Sequence, residues 1–152
     1  MLDHADRKIL RLLQADARRT TAELAEAAGL STSACHRRVK RLEADGLIAG
    51  YSAVLDRKAV GLNVLAYVFV RMEKHSEETL KRFIETVRRM DEIIACHAIS
   101  GGGDYMLKLV VPDMDAFAEI ALKSIARLPG VKEISSSFVL TTEKDERVWA
   151  IP

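Results

Sequence analysis

The chain has 152 residues, enough for one sizeable core or two small ones. It is 49% hydrophobic and 30% charged, a composition that excludes a disordered or fibrous protein. No apolar run reaches the roughly 18 residues of a membrane span, and the start, MLDHADRK, lacks the apolar core of a secretion signal. Two isolated cysteines, Cys35 and Cys96, predict reduced thiols rather than a disulfide framework. We therefore expect a cytoplasmic protein without a membrane partner.

The net charge of +1 is unevenly divided along the chain. Residues 1–60 hold 11 Lys or Arg against 8 Asp or Glu, a net of +3, whereas residues 61–152 hold 12 against 14, a net of −2. A basic excess favours a polyanionic partner. This asymmetry is modest, and it gains meaning only from the motif that accompanies it.

The first fifty residues predict three helices. Asp3 can cap the first helix, whose apolar positions repeat at helical spacing. Thr20 precedes Glu23 by three residues, which predicts a capping box at the start of a short second helix, and Gly29 supplies a left-handed end to it. Ser31 can cap the third helix. Two helices joined by a tight turn are the layout of a helix-turn-helix, whose second helix enters the DNA major groove.

The third helix has a buried stripe. At about 100° per residue, Cys35, Val39 and Leu42 fall close together on one side, which must face the core. Arg38 lies only about 60° from this stripe. We therefore expect Arg38 to brace the helix by pairing with a neighbouring acid or a phosphate, more readily than to read bases.

The outward face of the third helix carries Arg37, Lys40 and Arg41. These cations are suited to phosphates, and Arg37 is also suited to guanine. Amides and hydroxyls at the helix N-terminus can hold a further phosphate. A basic helix can also be a merely solvated surface, but the caps and the turn together favour DNA binding. The predicted DNA-binding residues are Thr20, Ser31, Thr32, Ser33, His36, Arg37, Arg38, Lys40 and Arg41.

Two further patterns complete the architecture, an α+β fold divided into residues 1–60 and 61–152. Residues 47–55, LIAGYSAVL, predict a short strand or hairpin that forms a wing beside the helices. The second part predicts the order βαββαβ, a ferredoxin-like sheet with both helices on one face. Its strands are expected at 62–72, 93–100, 105–111 and 131–141, and its helices at 77–90 and 112–128. The uncovered face of this sheet is apolar, which predicts dimerisation through it.

Four segments carry a family resemblance: LDHADRKILRLLQADAR, ELAEAAGLSTSACHRRVKRLEADGLIAGYSAVLD, SGGGDYMLKLVVPDMDAFA and LPGV. Together they resemble the Lrp/AsnC family of transcription regulators, over almost the whole chain. The resemblance implies a winged helix-turn-helix joined to a ferredoxin-like ligand domain, with double-stranded DNA as a partner. It also implies homodimers that assemble into octamers or larger discs, and a small effector, commonly an amino acid such as leucine.

The resemblance places the effector loop between the second and third strands of the sheet. Glycines allow a ligand to approach the backbone, amides can take its carboxylate, and Asp104 offers a counter-charge to an α-amino group. The alternative is a hairpin turn that binds nothing. The chain departs from the family at Gly102-Gly103, where a larger residue is usual, and in its tail, EKDERVWAIP. The implied effector-binding residues are Ser100, Gly101, Gly102, Gly103, Asp104 and Tyr105.

Two other functions stay open. Sirohaem decarboxylases resemble the family in fold, and such an enzyme would bring His97 and His75 to a tetrapyrrole. The chain could also be a metabolite-binding module with a vestigial DNA-binding half. No other catalytic constellation occurs, and Asp113 and Asp115 are interpreted as capping charges rather than metal ligands. We therefore expect a protein that is not an enzyme and that has no cofactor or metal.

Overall fold

A computed structural model describes residues 2–73, 76–145 and 149–151. The chain separates into two compact units, Met1–Val54 with Lys144–Pro152, and Leu55–Glu143. The sequence predicted a division at residues 60 and 61, whereas here it falls between Val54 and Leu55. In addition, the end of the chain joins the N-terminal unit through contacts of residues 149–151 with the first helix. Among the described residues, no helix is long and apolar enough to cross a membrane.

The N-terminal unit contains three helices: α1 (His4–Ala15), α2 (Thr21–Ala28) and α3 (Thr32–Ala44). Each begins at the predicted cap, because the side chains of Asp3, Thr20 and Ser31 accept a hydrogen bond from the backbone N–H three residues later. Gly29 ends α2 with a φ of +71°, a left-handed conformation that strains any residue with a Cβ. The predicted helix-turn-helix is confirmed.

The three helices enclose one small core. The predicted stripe of α3 is confirmed, since Cys35 and Leu42 are fully buried and Val39 is partly buried. Ala25 of α2 is buried where two helices approach closely, as its small size allows. The core is completed by Ile9, Leu10 and Leu24, with Ile151 packed against its edge.

The segment that follows α3 contains no strand. The N–H groups of Leu47 and Ile48 both donate to the Leu42 carbonyl, which closes the helix. From Gly50 to Leu55 the backbone makes no hydrogen bond within the described chain. A strand needs a second strand to pair with, and no described strand pairs with this segment. The strand or hairpin predicted at 47–55 is therefore wrong for the single chain.

The C-terminal unit has the predicted ferredoxin-like order. Its elements are β1 (Val64–Met72), α4 (Glu77–Val87), β2 (Ile93–Ala98), β3 (Tyr105–Val111), α5 (Met114–Ala118) and β4 (Val131–Phe138). The strands pair antiparallel in the order β2-β3-β1-β4, so β1 and β3 lie at the centre. This arrangement confirms the predicted α+β fold.

The two faces of the sheet differ. Side chains alternate along a strand, so every second residue of β1 and β3 points to the same face. On one face, Val68 and Leu107 are fully buried in a core shared with Phe83 of α4 and Phe117 of α5. On the other face, the side chains of Leu65, Tyr67, Phe69, Met106 and Lys108 are all partly exposed.

The second helix of this unit is shorter than predicted. After α5 the chain continues as a π-helical turn (Glu119–Ser124) and a 3₁₀ turn (Ile125–Arg127). The apolar residues Phe117, Ala121 and Ile125 recur every four residues and are all buried. An α-helix rotates such a series away from the sheet by about 40° per step, and the wider π turn reduces that drift.

Candidate nucleic-acid interface and effector loop

Arg37 stands at the centre of the exposed face of α3. It makes no hydrogen bond or ion pair with any of the described residues, and His36 beside it is also exposed. Lys40 lies 3.0 Å from Glu43, an exposed pair of the kind that contributes little energy. The Glu43 carboxylate also accepts a hydrogen bond from the Tyr51 hydroxyl at 3.0 Å. Arg37 and Lys40 therefore have the freedom to meet phosphates or base edges.

The other two cations of α3 reach back to the start of α1. Arg38 donates to Asp3 at 2.6 Å and to Asp6 at 2.8 Å, which confirms the prediction that it pairs with a neighbouring acid. Arg41, which we predicted to point outward, instead donates to the second oxygen of Asp6 at 2.5 Å. Residues 38 and 41 are three apart, so they lie on the same side of the helix. The outward set is therefore smaller than predicted.

Asp6 is the centre of this arrangement, and the sequence interpretation missed it. Only 1% of its side chain is exposed. Burial alone would raise its pKa, but hydrogen bonds from Arg38, the Asp3 amide and Arg41 lower the pKa below the usual value. The pKa of Asp3 is lowered to about 2 by the Asp6 amide and by Arg38. The only local signal was an acid three residues after the cap, where it completes a capping box.

Two of the hydroxyl groups predicted to contact DNA, those of Thr20 and Ser31, already cap helices. The Thr20 hydroxyl donates to Glu23 at 2.9 Å and accepts from its amide at 3.3 Å. The Ser31 hydroxyl accepts from the amide of Ala34 at 3.3 Å and lies 3.3 Å from the Ser33 hydroxyl. The first amides of α3, at Thr32 and Ser33, have no acceptor within the helix and stay available to a phosphate.

The predicted effector loop joins β2 to β3 and is tied to the end of β1. Asp104 accepts a hydrogen bond from the Met72 amide through its carboxylate, at 2.6 Å, and its own amide donates to the Val70 carbonyl at 2.9 Å. A Cβ on Gly103 would lie 3.2 Å from the same carbonyl, so a side chain at this position would displace the Val70 carbonyl by a few tenths of an ångström. Part of the Asp104 carboxylate therefore holds the loop in place.

The residues of the loop do not all face one way. The Tyr105 ring packs in the core, 5.0 Å from the ring of Phe83. Gly102 instead borders a shallow cavity on the exposed face, together with Phe69, Arg71, Glu133 and Ser135. Exposed Ser100 and Gly101 lie at the start of the loop.

Arg71 lies beside the predicted effector loop and is absent from the residues that the sequence predicted. Its guanidinium lies 3.4 Å from the Gly102 carbonyl and 3.4 Å from the Glu133 carboxylate. Arg71 and Glu133 are directly opposite each other in the pairing of β1 with β4. The available signal was a charged residue near the end of an otherwise apolar strand, but its partner lies 62 residues away.

A capped helix-turn-helix with a basic second helix, joined to a ferredoxin-like unit with a glycine loop, defines a DNA-binding regulator with a separate ligand domain. Comparison with known families also finds two domains. Residues 2–49 match the winged helix-turn-helix DNA-binding family, and residues 65–149 match the Lrp/AsnC ligand binding domain. The chain belongs to the Lrp/AsnC family.

Individual relatives are similar along nearly their whole length. The DNA-binding transcriptional activator DecR of Escherichia coli is 38% identical over 140 residues, which is 92% of each chain. A crystal structure of an AsnC family transcriptional regulator from Agrobacterium tumefaciens superposes with a TM-score of 0.93 at 38% identity, covering 98% of this chain and 97% of that one. A transcriptional regulator from Neisseria meningitidis, solved as a complex with L-Met, gives a TM-score of 0.92 at 37% identity over 95% and 94% of the two chains.

Proposed function

We propose that this chain is a sequence-specific transcription regulator of the cytoplasm that binds DNA through α3 and responds to an amino acid or a related metabolite. The observation that carries the DNA-binding part is Arg37, which is exposed and has no partner among the described residues, on a helix whose start, end and buried stripe all conform to a helix-turn-helix. An intact core and complete caps also argue against a vestigial DNA-binding half.

The proposed contacts to DNA fall into two groups. Arg37, with Ser33 and His36 beside it, reads base edges in the major groove. Lys40 and the amides at the start of α3 hold phosphates, so that affinity falls with rising salt. Arg38 and Arg41 contribute through their pairing with Asp6. Of the predicted residues, Thr20 and Ser31 act as helix caps, and we propose direct contacts to DNA for Thr32, Ser33, His36, Arg37 and Lys40 only.

Replacing Arg37 tests this docking. We expect Arg37→Ala to weaken binding to the duplex that the wild-type chain selects from a random library by about tenfold or more, and to relax its specificity, because a bidentate guanine contact is worth about 1–3 kcal/mol. Fluorescence anisotropy with the selected duplex and its single-base variants measures both effects. Arg89→Ala, at an exposed position of the C-terminal unit, is the control. Unchanged binding by Arg37→Ala contradicts the docking.

For the effector, we propose a free amino acid bound at the loop 100–105 and at the adjoining cavity. Arg71 and the loop amides suit a carboxylate, whereas Glu133 and Asp104 suit an α-amino group. The relative crystallised with L-Met makes L-Met the first compound to test. A thermal-shift screen of the twenty amino acids is expected to show stabilisation by at least one of them. No shift with any of them favours the loop as a simple turn.

We also propose that the chain works as a homodimer that assembles further, to an octamer, and that it is not an enzyme. The partly exposed apolar face of the sheet supports dimerisation through that face. The enzymatic alternative required histidines around a tetrapyrrole. His97 is an exposed residue of edge strand β2, and His75 lies outside the described residues. Haem-like absorption of the purified protein would revive that alternative.

A further inference from the structure

Asp6 is the one charged side chain that is fully buried among residues 2–73, 76–145 and 149–151. Its first oxygen accepts from Arg38, and its second oxygen accepts from Arg41 and, at 3.2 Å, from the Asp3 amide. Asp3 adds a second acid for Arg38. Two acids of α1 are thus matched to two arginines of α3, and the four charges sum to zero.

Loss of an arginine partner is energetically unfavourable for Asp6, because Asp6 is buried. A buried carboxylate that loses a cation keeps its desolvation penalty without the compensating attraction. Arg41 is 49% exposed, so it is near solvent but held, whereas Arg38 is 27% exposed and held by two acids. Among the described residues Arg37 has no such acid, and the partner of Lys40 is a glutamate whose side chain is 30% exposed. The basic helix therefore carries two kinds of cation.

We propose that Asp6 is a positioning residue that keeps Arg41 and Arg38 off the DNA phosphates, and thereby sets how strongly α3 discriminates between sequences. Phosphate contacts attract any sequence, so each arginine withheld from them lowers non-specific binding. The two ion pairs also join α3 to α1 at points three residues apart, which fixes the rotation of α3 about its axis. Arg37 is then presented to base edges in one orientation. This inference rests on the proposed DNA binding.

The test is Asp6→Asn, an isosteric change that removes the charge and keeps an acceptor. Arg38 retains Asp3, so Arg41 is the side chain that is released. We expect the salt dependence of DNA binding, the slope of log K against log[salt], to steepen by about 0.9, the value of one added phosphate contact. We also expect affinity for a random duplex to rise, so that the preference for the selected duplex falls severalfold. Glu26→Gln makes the same change in charge on α2 and should leave the slope unchanged.

A second variant keeps the test decisive if Asp6→Asn lowers stability. In Asp6→Asn/Arg41→Gln the released cation is gone, so the slope should return to the wild-type value. Arg41→Gln alone should leave the slope within error of the wild type.

A single Arg41→Gln variant that flattens the slope by about 0.9 shows that Arg41 already contacts phosphate, and overturns the inference. An equal loss of affinity for both duplexes with an unchanged slope assigns Asp6 a purely structural role and also overturns it. A wild-type chain that selects no duplex at all defeats the proposed function instead.

Discussion

Asp104 has two roles that can be separated by experiment. Its carboxylate accepts the Met72 amide at 2.6 Å, and Met72 is buried, so removal of the acceptor leaves a buried N–H group without a partner. In the proposed effector site, the same carboxylate supplies charge to an α-amino group. An amide side chain can perform the first role but not the second.

We therefore expect Asp104→Ala and Asp104→Asn to behave differently. The alanine variant should lose about 1–3 kcal/mol in the free energy of unfolding, because it deprives the Met72 amide of its acceptor. The asparagine variant should stay close to wild-type stability but bind its amino acid about tenfold or more weakly, since it loses a charged hydrogen bond. Urea unfolding and calorimetric titration measure the two quantities. Full ligand affinity in the asparagine variant removes Asp104 from the effector site.

The lowered pKa of Asp3 predicts how the stability of the N-terminal unit changes at acid pH. Its pKa is lowered from 3.8 to about 2 in the folded chain, chiefly by the Asp6 amide and then by Arg38. A carboxyl whose pKa is lower in the folded than in the unfolded chain stabilises the fold at any pH above its unfolded pKa. That stabilisation is lost as the pH falls through the folded pKa. The N-terminal unit should therefore lose stability between about pH 4 and pH 2.

Asp3→Asn isolates this contribution, because asparagine is an equally good helix cap but carries no charge. We expect the variant to have a lower melting temperature at about pH 7 and a shallower decline between about pH 4 and pH 2. Circular dichroism melts across this range measure both. Asp45→Asn, at the exposed C-cap of α3, serves as the control. A decline as steep as that of the wild type would place the acid sensitivity elsewhere.

At the scale of elements, the end of the chain is held against α1 by hydrogen bonds of residues 149 and 151. The Trp149 amide donates to the Gln14 side chain at 2.7 Å, and that side chain donates back to the Trp149 carbonyl at 3.3 Å. Arg11 donates to the Ile151 carbonyl at 2.8 Å. Both hydrogen bonds at Trp149 are made by its backbone, and the residue is 85% exposed.

This division between backbone and side chain gives a matched pair of variants. Gln14→Ala should lower the free energy of unfolding of the N-terminal unit by about 1 kcal/mol, because it removes both hydrogen bonds to residue 149. Trp149→Ala keeps those bonds and should change it by less than about 0.5 kcal/mol. Hydrogen exchange at the amides of α1 reports on this unit alone. A larger effect from Trp149→Ala would show that its ring, not its backbone, holds the tail.

Whether the sequence could predict a feature depends on how far apart the interacting residues lie. The caps at Asp3, Thr20 and Ser31 could be predicted from the sequence because each involves residues three apart. The ion pair of Asp6 with Arg41 joins residues 35 apart, and no local sequence pattern indicates it. The same holds for Gln14 and Trp149, which are 135 apart.

The predicted strand at residues 47–55 failed for a related reason. Its alternation of apolar and polar residues describes a strand, but pairing requires a neighbour that the pattern does not supply. Conversely, the order of β1 to β4 was predictable from the alternation of strand and helix signals, because few topologies accommodate βαββαβ.

At the scale of the whole molecule, the proposed dimerisation through the exposed face of the sheet sets how many copies of α3 act together. Tyr67 and Phe69 of β1 lie on this face beside Met106 and Lys108 of β3, and the Lys108 ammonium stands 6.0 Å from the centre of the Tyr67 ring. An apolar face of this kind is stable in water when a second copy covers it. A homodimer formed in this way carries two copies of α3.

Phe69→Asp tests this assembly, because it places a charge in the centre of the proposed interface. We expect the variant to sediment as a monomer, and to bind the selected duplex about 10²–10⁴-fold more weakly, since two linked helices gain that much from acting on one DNA. Analytical ultracentrifugation and fluorescence anisotropy measure the two effects. Leu122→Asp makes the same type of change at an exposed position of the π-helical turn and should leave at least the dimer intact. A Phe69→Asp variant that stays dimeric places the interface on another surface, and a monomer with full affinity shows that one copy of α3 is sufficient.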